Sequence, residues 1–417
     1  MSLPTTIEEV RCRVILDSRG QPTVEVEVVT VEGFGVASAP SGASKGRFEA
    51  LAYPVGSVEE ALKKVRGNVA PELIGLDSSE QENMDRLLRE LDGTENFSNL
   101  GGNTAYAISL AVAEAAAASL GLPLFQHLAG CLVSELPYPL GNVLGGGKHA
   151  GTGCPDIQEF LVCPLGAESF KAAAEVNVNV HRTLRGLLED AGVPFFGGKG
   201  DEGAWAPAID NERALEFVAK AAEKVTEKTG VKVNIGLDVA ASSLWDEKKG
   251  KYIYRHGQSK DTGEQVDYIL DKIKSHRLFY VEDALQEEDF EGFHELTRKA
   301  GRCLICGDDL FVTNKARLTR GIGLKAGNAV IIKPNQVGTV TDAYEAVKLA
   351  RTNGYVPVFS HRSGETVDVH LAHLAIAFQC PLVKLGVLGG ERVAKVNEFI
   401  RVEEYLKTRA GMAQLKI

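Results

Sequence analysis

NIGLD (Asn234–Asp238), FYVED (Phe279–Asp283), LICGDD (Leu304–Asp309), VIIKPNQ (Val330–Gln336), VPVFSHRS (Val356–Ser363) and LVKLG (Leu382–Gly386) are six short apolar runs that each end in a polar cluster. An apolar run of strand length is what a parallel strand buried on both faces looks like, with its carboxyl end free to carry chemistry. From Glu282 to Asp308, Lys333, His361 and Lys384 the steps are 26, 25, 28 and 23 residues, one strand and one helix at a time. The expected fold class is therefore α/β, a TIM-type (β/α) barrel in which all strands open their carboxyl ends onto one mouth. Three carboxylates, Asp238, Glu282 and Asp308, would converge there with Lys333, Lys384, His361 and Arg362.

Upstream the texture changes. TVEVEVVTV (Thr23–Val31) alternates valine with glutamate or threonine, the mark of a half-buried antiparallel strand, and GFGVAS (Gly33–Ser38) reads as its hairpin partner. Helical patterns follow over Ser57–Val65, Ser79–Leu91 and Asn103–Leu120, with Asn103 as an N-cap and Gly121-Leu122-Pro123 as a stop. Strands followed by helices predict a smaller α+β domain, an antiparallel meander plus helices, over residues 1–130, ahead of a barrel domain over 131–417. Within the barrel half, Glu168–Ala191 reads as one long helix. The 44 residues from Asp238 to Glu282 exceed one strand and one helix, which predicts an excursion that includes Asp246–Tyr254.

Composition narrows the classes. A chain of 417 residues with 44% hydrophobic and 24% charged residues is globular, and its net charge of −10 argues against a nucleic-acid surface. The longest apolar stretch, Ala105–Leu122, is rich in alanine and carries Glu114, so no membrane span is expected. MSLPTTIEEV has neither a basic nor an apolar leader region, and seven cysteines at irregular spacings fit reduced thiols, so the expected location is cytoplasmic. Gly145–Lys148 fails the phosphate-loop spacing, since Asn142 stands where glycine is needed and His149 follows the lysine. Three glycines there serve better to let His149 approach a ligand closely.

Carboxylates alone suit Mg²⁺, which takes hard oxygen ligands, and would serve zinc or copper poorly. Asp283 and Asp309 adjoin the ligand candidates and could compete with them for the cation; the plainer reading of both is a capping or supporting partner. Lys333 and Lys384 end strands instead of facing solvent; a lysine among cations and metals loses its proton more readily, which makes either a credible general base, and the plainer alternative is a pair of salt bridges to the acids. Ser360-His361-Arg362-Ser363-Gly364 combines guanidinium and hydroxyl groups suited to gripping a phosphate or carboxylate. Glu202, in Gly200-Asp201-Glu202-Gly203, is a loop carboxylate whose pKa desolvation would raise toward general-acid use. His370 and His373, three apart on an expected helix, read as packing residues outside the site.

The chain resembles the enolase family nearly end to end. The resemblance is carried by ILDSRGQPTVEVEV (Ile15–Val28), SGASKG (Ser41–Gly46), GGKHAG (Gly146–Gly151), IQEF (Ile157–Phe160), GDEGAWAP (Gly200–Pro207), GLD (Gly236–Asp238), VED (Val281–Asp283), GDDLFVTN (Gly307–Asn314), IKPNQVGT (Ile332–Thr339), SHRSGET (Ser360–Thr366) and GGERVAKVNEFIRVEE (Gly389–Glu404). It is similar above all to archaeal members. The resemblance implies reversible dehydration of 2-phosphoglycerate to phosphoenolpyruvate, a small-molecule substrate, and a homodimer or homo-octamer.

It further implies two Mg²⁺ per active site, one held by Asp238, Glu282 and Asp308, the second joining with substrate and Ser44. Lys333 would be the base and Glu202 the acid, with Glu159 in support. His149, Gln158, Glu159, Lys333, His361, Arg362, Ser363 and Lys384 would line the substrate, and Lys384 would help offset the charge that develops on it. The chain departs from the family pattern in four places. The run from His149 to Glu159 is one residue longer than usual, which bears on the placement of His149. Ala284, Val367 and Leu385 replace a usual proline, acid and threonine.

Overall fold

A computed structural model describes residues 2–43, 46–54, 57–151, 153–255 and 258–415. The chain opens with an antiparallel meander of β1 (Ile7–Leu16), β2 (Pro22–Thr30) and β3 (Phe34–Ser38). Val24, Val26 and Val28 are buried, whereas Glu25 and Glu27 on the other face pair with Arg13 and Arg11 of β1. The valine face packs against the helix Gly102–Ser119. That helix begins one residue before the expected start, with Gly101 at its cap, and Asn103 lies inside it. The Asn103 amide is used elsewhere: its Oδ1 accepts from Asn335 Nδ2 at 3.0 Å and ties the helix to the KPNQ turn. The other two expected helices form as Val58–Lys64, capped by Ser57, and Gln81–Asp92.

Eight strands close into a barrel: β4 (Tyr138–Gly145), β5 (Glu159–Cys163), β6 (Asn234–Asp238), β7 (Tyr280–Glu282), β8 (Leu304–Gly307), β9 (Ala329–Ile332), β10 (Val356–Ser360) and β11 (Leu382–Gly386), which pairs back onto β4. The six opening runs all become barrel strands with polar carboxyl ends. One strand departs from the all-parallel expectation. β5 runs antiparallel to both β4 and β6, so the amino end of β5, with Glu159, lies at the mouth. Direction leaves no mark on a segment such as FLVC, because parallel and antiparallel strands are equally apolar when both faces are buried.

The reversed strand reroutes the next stretch of chain. The long helix Phe170–Asp190, capped by Ser169, is answered by a second helix, Asn211–Thr229, before β6 begins. With β5 descending, the link between these two helices comes up at the mouth. Bridges of Trp205 to Leu144 and to Lys199 fasten it beside the end of β4. The expected excursion after Asp238 is a small three-stranded sheet, Trp245–Asp246, Lys251–Ile253 and Ser259–Lys260.

His370, expected to be a packing residue, proves to be a buried cation between the two halves of the chain. Its Nδ1 contacts Asp368 and its Nε2 lies 3.0 Å from Glu114 on the meander's helix. Burial favours the neutral ring, but these carboxylates outweigh it and push the imidazole up to about 10. The folded chain thus keeps the proton well above the ordinary value of 6.5. The stabilisation is complete below that value and is lost as pH rises through about 10. His370→Gln should lower unfolding free energy by roughly 1–3 kcal/mol at neutral pH, and urea titrations should find the gap from wild type closing above pH 10.

Candidate active site

The mouth is built on one register row. Glu159, Asp238 and Glu282 lie side by side on β5, β6 and β7, and all three are buried. From across the barrel, Lys384 on β11 reaches this row, with Nζ 2.8 Å from Asp238 Oδ2, 2.8 Å from Glu282 Oε1 and 3.3 Å from Glu159 Oε1. Asp308 follows β8 and is contacted by Lys333 Nζ; Gln336 Nε2 donates to its other oxygen at 3.0 Å. Gln158 Nε2 donates to Asp238 Oδ2 at 3.3 Å.

These contacts match the salt-bridge alternative for the two lysines. Burial alone would strip the proton from both lysines, yet the carboxylates win. Asp308 raises Lys333, and Asp238, Glu159 and Glu282 hold Lys384 well above the ordinary lysine value. Without cations on the acids, each lysine keeps its proton. Glu282 shows the strain of the cluster, for burial and the Asp238 charge push it up to about 8.

A second group assembles from loops. Ligand-type atoms of His149, Glu159 and Glu202 all lie within 4.8 Å of one another. His149 Nδ1 is 3.5 Å from Glu159 Oε1 and 3.7 Å from Glu202 Oε1, so the longer loop still delivers this ring to the site. Glu202 arrives on the link between the two helices. There Gly203 adopts φ +77° and passes so close to the chain that a Cβ would sit 1.9 Å from Leu388 O. No other residue fits that turn.

The two glutamates differ in their hold on a proton. Burial and the Glu202 charge push Glu159 well above the usual carboxylate range. Glu202 is as deeply buried, yet His361 and His149 hold it well below that range. Of the two, Glu159 has the stronger hold on a proton. His361 is itself pushed down to about 4 by burial, so at neutral pH it favours the Glu202 carboxylate as an uncharged N–H donor and not as a cation. Its Nδ1 faces donors, Arg392 Nη1 at 2.8 Å and Gly386 N at 3.3 Å, which leaves the ring proton on Nε2, 3.1 Å from Glu202 Oε2. Asn142 Nδ2 adds a hydrogen bond to the same oxygen at 3.0 Å.

The SHRSG loop is held from both sides. Arg392, fully buried, donates to the carbonyls of Arg362 and Ser363 at 2.6 Å each. Ser41 and Gly364 exchange backbone hydrogen bonds, and Ala43 N donates to Ser363 Oγ at 2.6 Å. Arg362 Nη2 is gripped by both oxygens of Glu49, at 3.1 and 3.0 Å, and Nη1 donates to Asn335. Ser44 lies outside the described residues. Asp283 is spent on structure, accepting from the backbone N–H groups of Asp308 and Asp309.

Sequence reading missed Asn142, Glu49 and Arg392. A lone polar residue in the apolar run YPLGNVLG was the available signal for Asn142, and Arg392 stood in the GGER segment that carries the family resemblance; Glu49 carried no signal beyond its charge. Whether the residues fit Mg²⁺ turns on their donor atoms. Asp238, Glu282 and Asp308 offer only carboxylate oxygens, and two ammonium groups already stand against them as cations. That donor set suits a hard divalent ion. Among the described residues the three acids whose ligand atoms lie within 4.8 Å of one another are Asp283, Asp308 and Asp309, while Lys333 and Lys384 reach in among Asp238, Glu282 and Asp308.

Comparison with known proteins now decides the family. The family model described as "Enolase, C-terminal TIM barrel domain" matches residues 133–416, and "Enolase, N-terminal domain" matches residues 7–128. The chain belongs to the enolase family. It is 53% identical to the enolase of Methanosphaera stadtmanae over 97% of this chain and 98% of that protein. It is 54% identical to that of Methanothermobacter thermautotrophicus over 96% and 97%, and 50% identical to that of Archaeoglobus fulgidus over 96% and 98%. With the enolase family comes its activity, a hydro-lyase reaction of glycolysis, and its use of Mg²⁺.

Glu49 occupies the Arg362 guanidinium, so an anion drawn to Arg362 would have to displace it. Glu49→Gln should bind inorganic phosphate about tenfold more tightly, since roughly 1.5 kcal/mol of charge-assisted pairing no longer has to be displaced. Calorimetric titration with phosphate reads this directly, and unchanged affinity would refute the competition.

Proposed function

We propose that the residues at this mouth divide among themselves the work of the enolase reaction, the reversible dehydration of 2-phosphoglycerate to phosphoenolpyruvate. The observation that carries the assignment is the Lys384 ammonium among Glu159, Asp238 and Glu282, with Lys333 against Asp308 beside it. That constellation combines a carboxylate cation site with two amines at one place.

The reaction removes a proton from C2, beside the carboxylate, and hydroxide from C3. Its difficulty is the negative charge that accumulates on the substrate carboxylate when the C2 proton leaves. Asp238, Glu282 and Asp308 would hold one Mg²⁺, and Ser44 would help hold a second together with the substrate. When bound, Mg²⁺ would supply positive charge at the substrate carboxylate, and Asp308, as one of the residues that would hold it, would no longer keep Lys333 protonated. Lys333 then receives the C2 proton on Nζ. Lys384 keeps its proton and faces the substrate carboxylate as a fixed positive charge.

The departing C3 hydroxyl needs a proton and leaves as water. Glu159, with its raised pKa, stores that proton, and Glu202, less than 4.8 Å away, hands it on. His149, Gln158 and His361 orient the substrate, while Arg362 and Ser363 grip its phosphate once Glu49 lets go. No helix among the described residues is long and apolar enough to cross a membrane. The family resemblance supports a homodimer or homo-octamer, a cytoplasmic location and a domain division between residues 130 and 131.

Lys333→Ala should slow phosphoenolpyruvate formation by roughly 10²–10⁴-fold, followed by its ultraviolet absorbance, while Mg²⁺ still binds. Near-normal turnover would remove Lys333 as the base. Wild-type turnover should cease in a chelator and return with Mg²⁺; activity that persists in the chelator would overturn the proposed cation site.

A further inference from the structure

We propose that Tyr280 is a positioning residue for Glu282 that sets metal selectivity: its phenol ties up one carboxylate oxygen, so that Glu282 offers a single oxygen to a cation. The inference rests on the reading of Glu282 as a Mg²⁺ ligand. Tyr280 precedes Glu282 by two residues on β7, so both side chains point to the same side of the barrel wall. The ring is fully buried in a cluster with Leu140, Leu161, Leu304, Ile331 and Leu382, which plugs the barrel beneath the mouth. Tyr280 OH donates to Glu282 Oε2 at 2.6 Å, whereas Oε1 faces Lys384 Nζ at 2.8 Å. One oxygen is thus committed to the barrel interior and the other to the mouth.

The ring occupies this place because of Gly236, its register partner on β6, two residues before Asp238. A Cβ at Gly236 would stand 3.1 Å from Tyr280 Cβ and 3.2 Å from its Cδ1, against the ring itself. The missing side chain makes room for the phenol between two ligand-bearing strands. A hydroxyl in this position differs from the lysines nearby. It holds the carboxylate without adding a charge that would repel a cation.

Selectivity follows from the geometry each ion tolerates. Mg²⁺ demands a near-ideal octahedron and pairs with one carboxylate oxygen, while the larger Ca²⁺ accepts bidentate carboxylates in looser arrangements. A Glu282 locked by Tyr280 suits Mg²⁺. Freed from Tyr280, both oxygens can turn toward the ion, which favours Ca²⁺. Groups that orient metal ligands in this way are typically worth about 10–100-fold in affinity.

Tyr280→Phe removes only the hydroxyl. Calorimetry on the substrate-free protein should find Mg²⁺ affinity reduced at least about tenfold, with Ca²⁺ affinity unchanged or higher and thermal unfolding near wild type. Tyr355→Phe, which deletes another buried phenol whose hydroxyl donates to the Gly321 carbonyl and to none of the acids, should leave both affinities as they were. Mg²⁺ affinity within threefold of wild type, or equal weakening toward both ions, would overturn the proposal. Glu282→Gln, run in parallel, separates the two levels of the argument. If it leaves Mg²⁺ binding intact, the ligand reading itself has failed; if it abolishes binding while Tyr280→Phe does not change it, only the role of Tyr280 falls.

Discussion

The Lys384 ammonium, buried among Glu159, Asp238 and Glu282, is the contact on which the mouth of this barrel depends. Each of these acids is almost wholly withdrawn from water, and an uncompensated buried charge costs several kcal/mol. One ammonium cannot offset three carboxylates, and the remainder shows as raised pKa values at Glu159 and Glu282. Such a site is poised to accept further positive charge and to hold a proton where water would not leave one. Both properties are what proton abstraction beside a carboxylate requires.

Around that cluster, geometry is set by one reversed strand. β5 places Glu159 in register with Asp238, although Glu159 begins its strand and Asp238 ends one. The reversal also brings residues 146–151 and 153–158 and the 200–203 turn to the mouth, and with them His149, Gln158 and Glu202. A barrel of eight parallel strands would have needed these groups at other strand ends. Here the apolar core beneath, Tyr280 included, fixes the heights of the acids from below, while Arg392 fixes the SHRSG loop from behind.

Much of this was legible in the chain alone. The six runs announced barrel strands because a strand covered on both faces must be apolar, and their polar ends announced chemistry because charge is otherwise excluded from such places. The pKa directions were not legible. Lys333 and Glu202 were expected to shift by burial or by neighbouring cations, but their partners proved to be Asp308 in one case and a pair of imidazoles in the other. A side chain's neighbours across a barrel lie far away in sequence, so spacing carries no record of them. Asn103 failed as a cap for the same reason: a distant asparagine, Asn335, claims its amide.

By itself the sequence determined the barrel, the alternating meander and the inventory of acids, lysines and loop glycines, because hydrophobic period and turn chemistry are local properties. Only the tertiary structure decided the direction of β5, the division of protons between Glu159 and Glu202, the engagement of Arg362 by Glu49 and the two unlike oxygens of Glu282. Each of these depends on the distance between groups from different strands or loops, and on the low dielectric created by burying them together. Distance and dielectric come into being only when the chain closes on itself.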